Sequence, residues 1–488
     1  VPFKTLFLNK LFDYMQNLFY NALLQNFVHE PTKNQLAVIG ELTDFVFLDV
    51  KKHLFVLKGY AGTGKTSLVG ALVKTLPVIN FNSVLLAPTG RAAKVLSNYA
   101  NKPAFTIHKM IYQLQSGGDG YTRATIKQNK FQNTVFLVDE ASMISDGGAL
   151  SARDWGEHKS LLDDLLEYVY AGINCKLILI GDTAQLPPVG MELSPALDED
   201  FLASSYHLNL EFNELNEVVR QGKDSEILTN ATYLRSKIAL GNTENPLFNS
   251  VNQADVKVIT GLELEDELSD AYGNFGEDNV MLITRSNKRA NLFNLQIRSR
   301  IKWLEDELAA GDFMMVVKNN YFWLTDDTKA GFIANGDIVE ILKIRGEEEL
   351  YGFRFANLTI RMIDYPNAPD LEVKILMDSI LSESPSMPSD KFKLLYEAVS
   401  EDYSYENNRK KRNELIRQNP YYQALQVKFA YAITCHKSQG GQWDAVFVDQ
   451  GYLTDEMINV EYLRWLYTAI TRAKKELYLV NFNEKFYS

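Results

Sequence analysis

Short apolar runs punctuate this chain: Leu54 to Leu57, Val84 to Ala87, Val135 to Val138, Leu177 to Ile180, Val280 to Ile283, Val446 to Val448 and Leu477 to Val480. Each closes on a polar or glycine-rich loop, and helix-compatible stretches separate most of them. Runs that are continuous rather than alternating predict strands buried on both faces, hence parallel sheets flanked by helices and an α/β fold. Folds of that kind bind ligands beyond the carboxyl ends of their strands. The loops that follow these runs are therefore where chemistry is expected.

Other stretches break the pattern. Between Gln113 and Asn133, the turn signal Ser116-Gly117-Gly118-Asp119-Gly120 joins two polar, β-prone arms and predicts a small inserted hairpin. From Gly311 to Val427, the runs Phe313 to Val317, Tyr321 to Leu324, Ile338 to Ile344 and Leu358 to Ile363 predict a small antiparallel barrel or sheet, with turns such as Asn335-Gly336-Asp337. Asp390 to Gln418 reads as helical and stops before Pro420. The hydrophobic stretch Val1 to Phe27 carries Lys4, Lys10 and Asp13 at helical intervals and lacks a small-residue cleavage site, so it predicts an amphipathic helix rather than a signal peptide. The runs Glu347 to Glu349 and Arg409 to Arg412 read as solvated faces, although the basic one could instead meet a phosphate backbone. No internal repeat or low-complexity tract is evident.

The length of 488 residues exceeds what one core serves and suggests roughly two to four domains. With 46% apolar and 23% charged residues the composition is that of a globular protein, and no run of about 18 apolar residues predicts a membrane span. Cys175 and Cys435 stand far apart without Cys/His ligand spacing, which argues against a disulfide framework or a structural zinc site and for a reducing, cytoplasmic setting. A net charge of −12 argues against coating nucleic acid through a general basic field, but leaves room for a local groove.

The most specific chemistry follows the first apolar run. Gly59-Tyr60-Ala61-Gly62-Thr63-Gly64-Lys65-Thr66 fits G-x-x-x-x-G-K-[ST] directly after a strand. Such a loop turns backbone N–H groups around a polyphosphate, and the helix starting near Lys65 aims its positive end at the same place. Lys65 would reach the β/γ-phosphates and the Thr66 hydroxyl would hold Mg²⁺. The run Val135 to Val138 ends in Asp139-Glu140, which in partnership with that loop reads as a Mg²⁺ ligand followed by the group that polarises the attacking water. In Gly181-Asp182-Thr183-Ala184-Gln185-Leu186-Pro187-Pro188-Val189, Gln185 is a candidate γ-phosphate sensor that adds no charge to the site.

These segments fall in a longer order. Ala87-Pro88-Thr89-Gly90-Arg91-Ala92-Ala93, Thr106-Ile107-His108, Val219-Arg220-Gln221, Ala432 to Gly440 and Tyr467-Thr468-Ala469-Ile470-Thr471-Arg472-Ala473 complete it. The series, from about residue 32 to 480, resembles the motif series of superfamily 1 DNA helicases, and within them is most similar to the RecD/Dda branch, whose relatives translocate 5′ to 3′. The resemblance implies two RecA-like P-loop domains with parallel sheets, plus the inserted hairpin and an SH3-like β-rich domain. It sets an N-terminal extension over 1–31, a first RecA-like domain over 32–190 with the hairpin at about 113–133, a second over 191–311 and 428–488, and the β-rich insertion with a helical arm over 312–427.

Carried over by position, Gln35 would read the adenine edge. Gly59, Ala61, Gly62, Thr63, Gly64, Lys65, Thr66, Ser67 and Gly440 would line the ATP, with Thr66 and Asp139 on Mg²⁺. Arg220 and Arg472 would reach the γ-phosphate from the second domain, where a guanidinium fork suits the charge that develops on its oxygens. Cleft closure would then depend on ATP, and hydrolysis would reopen it. Pro88, Thr89, Gly90, Thr106, His108, Thr434, His436 and Lys437 would contact nucleic acid. Their hydroxyls, imidazoles and backbone N–H groups suit phosphate and sugar rather than base readout.

The expectation is an ATP- and Mg²⁺-dependent motor, working as a monomer on single-stranded DNA and duplex junctions, with single-strand-binding or recombination proteins as candidate partners and no membrane. Two other readings stay open: a DNA-stimulated ATPase or translocase subunit that does not itself separate strands, and a P-loop kinase or signalling NTPase. The last leaves Thr434 to Gly440 and Arg472 without a task.

Overall fold

Both parallel sheets predicted from the continuous runs are present, each inside one of two compact units. The computed structural model describes every residue except 1, 117–121, 146–159, 219–224, 249, 250, 252–254, 321, 325–332, 364, 366, 367 and 488, and gives the backbone alone at 2–11, 114–116, 122–124 and 410. The first unit comprises Val1–Pro88, Ala92–Leu114 and Ala124–Lys223, and the second Thr89–Arg91, Gln115–Arg123 and Asp224–Ser488.

In chain order the first strands are β1 (His53–Gly59), β2 (Asn82–Ala87), β3 (Ala104–Thr106), β4 (Tyr112–Ser116), β5 (Thr122–Ile126), β6 (Gln132–Val138), β7 (Ile173–Gly181) and β8 (Asn209–Leu215). Six of them form one all-parallel sheet in the order β3-β2-β6-β7-β1-β8, while β4 and β5 pair with each other as the arms of the predicted hairpin. The predicted tip, Gly117 to Gly120, lies outside the described residues.

Alternate residues of one strand serve two cores. Phe55, Leu57, Val135, Leu137, Ile178 and Ile180 face one way, toward Leu68, Leu72 and Ile39, while Leu54, Val56, Phe136, Val138, Leu177 and Leu179 face the other, toward Leu162, Leu165 and Val169. That double burial is why the runs are continuous in sequence. The helix Pro2–Asn26 joins the first of these cores through Phe19, Leu23 and Phe27, and Asn26 Nδ2 donates to Thr75 Oγ1 at 3.0 Å.

The second unit holds β9 (Val256–Ile259), β10 (Val280–Thr284), β11 (Phe313–Val316), β12 (Ile338–Leu350), β13 (Phe353–Met362), β14 (Leu371–Leu376), β15 (Leu425–Phe429), β16 (Ala432–Thr434), β17 (Trp443–Asp449) and β18 (Ala473–Val480). Its parallel sheet runs β16-β10-β17-β18-β9, and β11 to β15 close a five-stranded barrel. A buried, bidentate ion pair fixes the entrance to that barrel. Arg298 donates to Asp312 through Nε at 2.8 Å and Nη2 at 2.9 Å, and the Tyr431 hydroxyl donates to the same carboxylate at 3.0 Å.

Several details depart from the sequence expectations. Tyr321 to Leu324 does not form the predicted strand: over 322–324 the chain bends, because Asn320 Oδ1 accepts from the N–H groups of Phe322 and Trp323, a side-chain turn that competes with a ladder. Asp390 to Gln418 is two helices, Ser389–Asp402 and Arg409–Gln418, rather than one. Strands β8 and β9 escaped notice because edge strands keep one side wet; in β8 only Leu215 is buried. The Glu347 to Glu349 run is not merely a solvated face. Glu348 accepts from Lys374 Nζ, from Asn357 Nδ2 at 2.9 Å and from the Tyr421 hydroxyl at 2.7 Å, tying β12, β13, β14 and the segment before β15 together.

These donors hold the Glu348 carboxyl down to about 2 from an ordinary 4.5, chiefly through the Lys374 bond. A carboxyl depressed by folding stabilises above its unfolded value, and the stabilisation is lost as pH falls toward its folded value. Glu348→Gln is expected to lower the thermal midpoint at neutral pH, and the gap to wild type to shrink as pH drops from about 5 to about 2. A gap that does not change over that range would assign Glu348 no such role.

Candidate functional site

β1 runs out at Gly59 into a loop that only glycine can make. Gly62 and Gly64 sit at φ +78° and +88°, and a Cβ on Gly64 would stand 2.5 Å from Gln35 Nε2. The helix Lys65–Thr75 then starts without a side-chain cap, so its first N–H groups are uncommitted to a capping side chain and point into the loop. The Thr63 hydroxyl donates to Tyr60 O at 2.8 Å, and Lys65 Nζ donates to Tyr60 O at 2.9 Å and to Gly59 O. Gln35 braces the loop from behind. Its Nε2 donates to Thr63 O at 2.9 Å, while its Oε1 accepts from Thr32 N at 3.0 Å in a capping box that starts the helix Lys33–Phe47. An amide of this kind keeps one further N–H and one further lone pair, so bracing the loop leaves chemistry for a base edge.

Because β6, β7 and β1 are neighbours, the loops after them stand side by side. Asp139 closes β6. Burial raises its pKa, against the Glu140 N–H that reaches Oδ1 at 2.9 Å and the positive charge of Lys65. Glu140 follows at φ +52°, a left-handed backbone that a non-glycine residue rarely adopts, and is half-buried. After β7, Asp182 Oδ1 accepts from Ala184 N at 2.9 Å and fixes the turn that carries Gln185. Gln185 is buried, yet among the described residues its Oε1 has no hydrogen-bond partner. A buried unpaired acceptor is costly and marks a place where a donor is to arrive.

Tyr60 is a member of this constellation that the sequence reading passed over. Burial, and then a hydrogen bond to Glu214, push its hydroxyl up to about 12, and Thr183 and Asp182 face it as well. It therefore ties the phosphate loop to the loop after β7 and to the end of β8. The one signal available was a large ring at a variable position among glycines. The donors near the phosphate loop also suit a hard divalent cation: the Thr66 hydroxyl and the Asp139 carboxylate are oxygen ligands of the kind Mg²⁺ combines with phosphate oxygens and water. Among the described residues no cluster of three or more His, Cys, Asp or Glu forms a self-sufficient metal site.

The expected nucleic-acid residues of the first sheet lie on its other wing. Pro88 to Gly90 join β2 to the helix Gly90–Ala100. Thr106, at the end of the adjacent β3, is buried and uses its hydroxyl to cap the helix Ile107–Ile111, accepting from Lys109 N at 3.2 Å. His108 is half-buried with its ring 5.8 Å from Tyr112, and desolvation lowers its pKa.

In the second unit β16 ends at Thr434, which precedes the helical turn Cys435–Ser438 without capping it by its side chain. His436 is exposed. Lys437 Nζ reaches Pro385 O at 3.4 Å, and burial with the nearby Lys428 charge brings its ammonium down to about 7. The Cys435 thiol is buried, donates to Trp465 O at 3.4 Å and is pushed up to about 12 by burial, so it is no nucleophile. Gly440 turns at φ +73°. Arg472 follows the helix Val460–Ile470 and is buried on neutral acceptors, with Nε on Thr468 O at 3.0 Å, Nη1 on Gly441 O at 3.3 Å and Nη2 on Thr471 Oγ1 at 3.2 Å. Among the described residues it has no carboxylate within 4.0 Å. Arg220 lies outside the described residues.

Comparison with known proteins matches the two sets of residues separately. The AAA domain family covers residues 46–245, and the UvrD-like helicase C-terminal domain family covers 429–480. The ATP-dependent DNA helicase Dda of enterobacteria phage T4 is 25% identical over 455 residues, covering 88% of this chain and 95% of that protein. The ATP-dependent RecD2 DNA helicase of Deinococcus radiodurans is 32% identical over 137 residues, 28% of this chain and 16% of that protein. Among solved structures, a Bacteroides Pif1 helicase in complex with ADP-AlF3 and single-stranded DNA is 16% identical, with a TM-score of 0.47 and 94% of each chain covered. With a phosphate-loop half and a UvrD-like half on one chain, the protein is similar to the superfamily 1 DNA helicases of the Dda and RecD-like kind.

Proposed function

We propose that this protein is an ATP-dependent DNA helicase that moves 5′ to 3′ along single-stranded DNA and separates duplex ahead of it. The observation that carries the reading is the shared edge of β6, β7 and β1, where Asp139, Glu140, Gln185 and the phosphate loop stand together. ATP lies with its phosphates on the loop N–H groups. Lys65 exchanges the carbonyls of Gly59 and Tyr60 for phosphate oxygens, a stronger, charge-assisted bond. Thr66 and Asp139 would hold Mg²⁺, whose positive charge would offset that of the phosphates. Glu140 takes the proton of the attacking water, and the unpaired Oε1 of Gln185 accepts a hydrogen bond in the same place.

Arg472 supplies the complementary charge from the second unit. Held by neutral carbonyls and a hydroxyl, it gives up little in turning to a γ-phosphate. Thr434, His436 and Lys437, with Pro88 to Gly90 and His108, contact sugar and phosphate without reading bases. A neutral imidazole at His108 serves there as a hydrogen-bonding group rather than a cation. The named relatives Dda and RecD2, both ATP-dependent DNA helicases, support the same activity. The motor works as a monomer in a reducing, cytoplasmic setting, which the free, buried Cys175 and Cys435 suit.

Displacement of a labelled strand is expected from a duplex with a 5′ single-stranded tail and not from one with a 3′ tail, in the presence of ATP and Mg²⁺. Displacement from the 3′-tailed duplex alone would reverse the polarity. DNA-stimulated hydrolysis with no displacement from either would leave a translocating ATPase. Lys65→Ala is expected to cut turnover by a factor on the order of 10² or more while single-stranded DNA binding stays within a few fold. Normal turnover in that variant would remove Lys65 from the phosphate site.

Because burial raises the Asp139 pKa, protons compete with the divalent cation for its carboxylate. The Mg²⁺ concentration giving half-maximal hydrolysis is therefore expected to rise as pH is lowered from about 8 to about 5. A requirement that does not vary across that range would place the cation on other ligands.

A further inference from the structure

Within the second unit, three elements converge on a cavity of about 10 Å³, room for roughly one water. The helix Asn287–Gln296 contributes Asn287 and Asn291, strand β15 contributes Lys428, and the end of β16 with the turn after it contributes Thr434 and Lys437. Two ammonium groups therefore meet at one place. Lys428 is 6% exposed, its Nζ donates to Ser382 O, and burial brings it down to about 8. Its charge in turn depresses Lys437. Among the described residues neither has a carboxylate within 4.0 Å.

What the two amines touch is a single strap of chain. Asn291 Nδ2 donates to Leu381 O at 3.0 Å and Ser382 O at 3.3 Å, Lys428 to Ser382 O, and Lys437 to Pro385 O. The strap is thus held through its carbonyl oxygens by cationic and amide donors, the donor types that bind phosphodiester oxygens. Its own N–H groups add two weak bonds, from Ser382 N to Ser379 O at 3.4 Å and from Ser384 N to Ser382 Oγ at 3.3 Å. A buried and a half-buried charge of like sign side by side without a counterion are unfavourable, and neutral carbonyls offset that only in part. A phosphate brings the missing charge. The lining residues Thr434 and Lys437 already belong to the proposed nucleic-acid track, whereas Lys428, on a barrel strand, has no part in hydrolysis.

We propose that Lys428 is a second phosphate contact of the single-stranded DNA track, paired with Lys437, and that the strap Leu381 to Pro385 covers both amines until a DNA phosphate displaces its carbonyls. The inference rests on the reading given under Proposed function. No catalytic step is involved. The strap's carbonyl oxygens occupy the positions of phosphate oxygens, and since the cavity beneath has no room for a phosphate, binding requires the strap to lift.

The test uses the whole chain and a fluorescent oligo(dT) over a series of KCl concentrations. Lys428→Met keeps the buried stem and removes the charge, and Lys428→Arg restores it. Lys428→Met is expected to bind more weakly and to reduce the slope of log K against log salt by about 0.7, the value for one contact to a single strand, with Lys428→Arg returning to the wild-type slope. A packing role alone would lower the melting temperature without moving that slope. Hydrogen exchange at the amides of Ser382 to Ser384 is expected to quicken when oligo(dT) binds. An unchanged slope in a folded Lys428→Met variant overturns the lysine contact, and unchanged or slower exchange overturns the cover. Wild type that fails to bind oligo(dT) would overturn the underlying DNA reading as well.

Discussion

Burial of both faces of each parallel sheet is the constraint on which everything else here depends. With alternate residues of β1, β6 and β7 committed to two separate cores, the middle of each strand is apolar, and buried polar side chains such as His53, Thr134 and Lys176 fall toward its amino end. Chemistry is driven to the strand ends. In the first sheet the order β6-β7-β1 then decides which loops share that edge, so residues far apart in sequence such as Lys65, Asp139 and Gln185 become neighbours through topology rather than through any direct bond.

The loops at that edge are held by polar bracing. Gln35 fastens the phosphate loop to the capping box of the preceding helix, Thr63 and Lys65 fasten it to its own carbonyls, and Tyr60 fastens it to the end of β8 and the loop after β7. Such bracing fixes backbone N–H groups before a ligand arrives, which lowers the reorganisation left for the chemical step. In the second unit the Arg298–Asp312 pair performs a comparable task for the barrel, because a buried bidentate pair tolerates little displacement of the two segments it joins.

What could be read from sequence followed the same logic. Central strands such as Val135 to Val138 and Leu177 to Ile180 announce themselves because both faces are buried, and the phosphate loop does so because its backbone demands glycine at Gly62 and Gly64. The edge strand β8 did not, since its exposed side interrupts the apolar run, nor did the break between Ser389–Asp402 and Arg409–Gln418. Tyr60 and Lys428 were hidden for a different reason. Each owes its importance to partners distant in sequence, Glu214 for one and the strap at Ser382 for the other, and no spacing rule encodes such a meeting. The Glu348 cluster was hidden likewise, by reading a charge run as a surface when one of its members faces Lys374.

A chain with 62 acidic and 50 basic residues has ample carboxylates with which to neutralise its cations, yet the cations placed at the proposed phosphate contacts have none within 4.0 Å among the described residues. Lys65, Arg472, Lys437 and Lys428 all rest on backbone carbonyls, with one threonine hydroxyl on Arg472. A carboxylate partner would have to be stripped away before a phosphate could bind, at the cost of leaving a charge unpaired. A carbonyl gives way more easily, because the incoming phosphate offers a stronger bond than the one it replaces and the released carbonyl can turn to water. The acidic excess then works in the same direction. By repelling polyanions over most of the surface, it favours phosphate binding at cations such as these, whose partners are neutral.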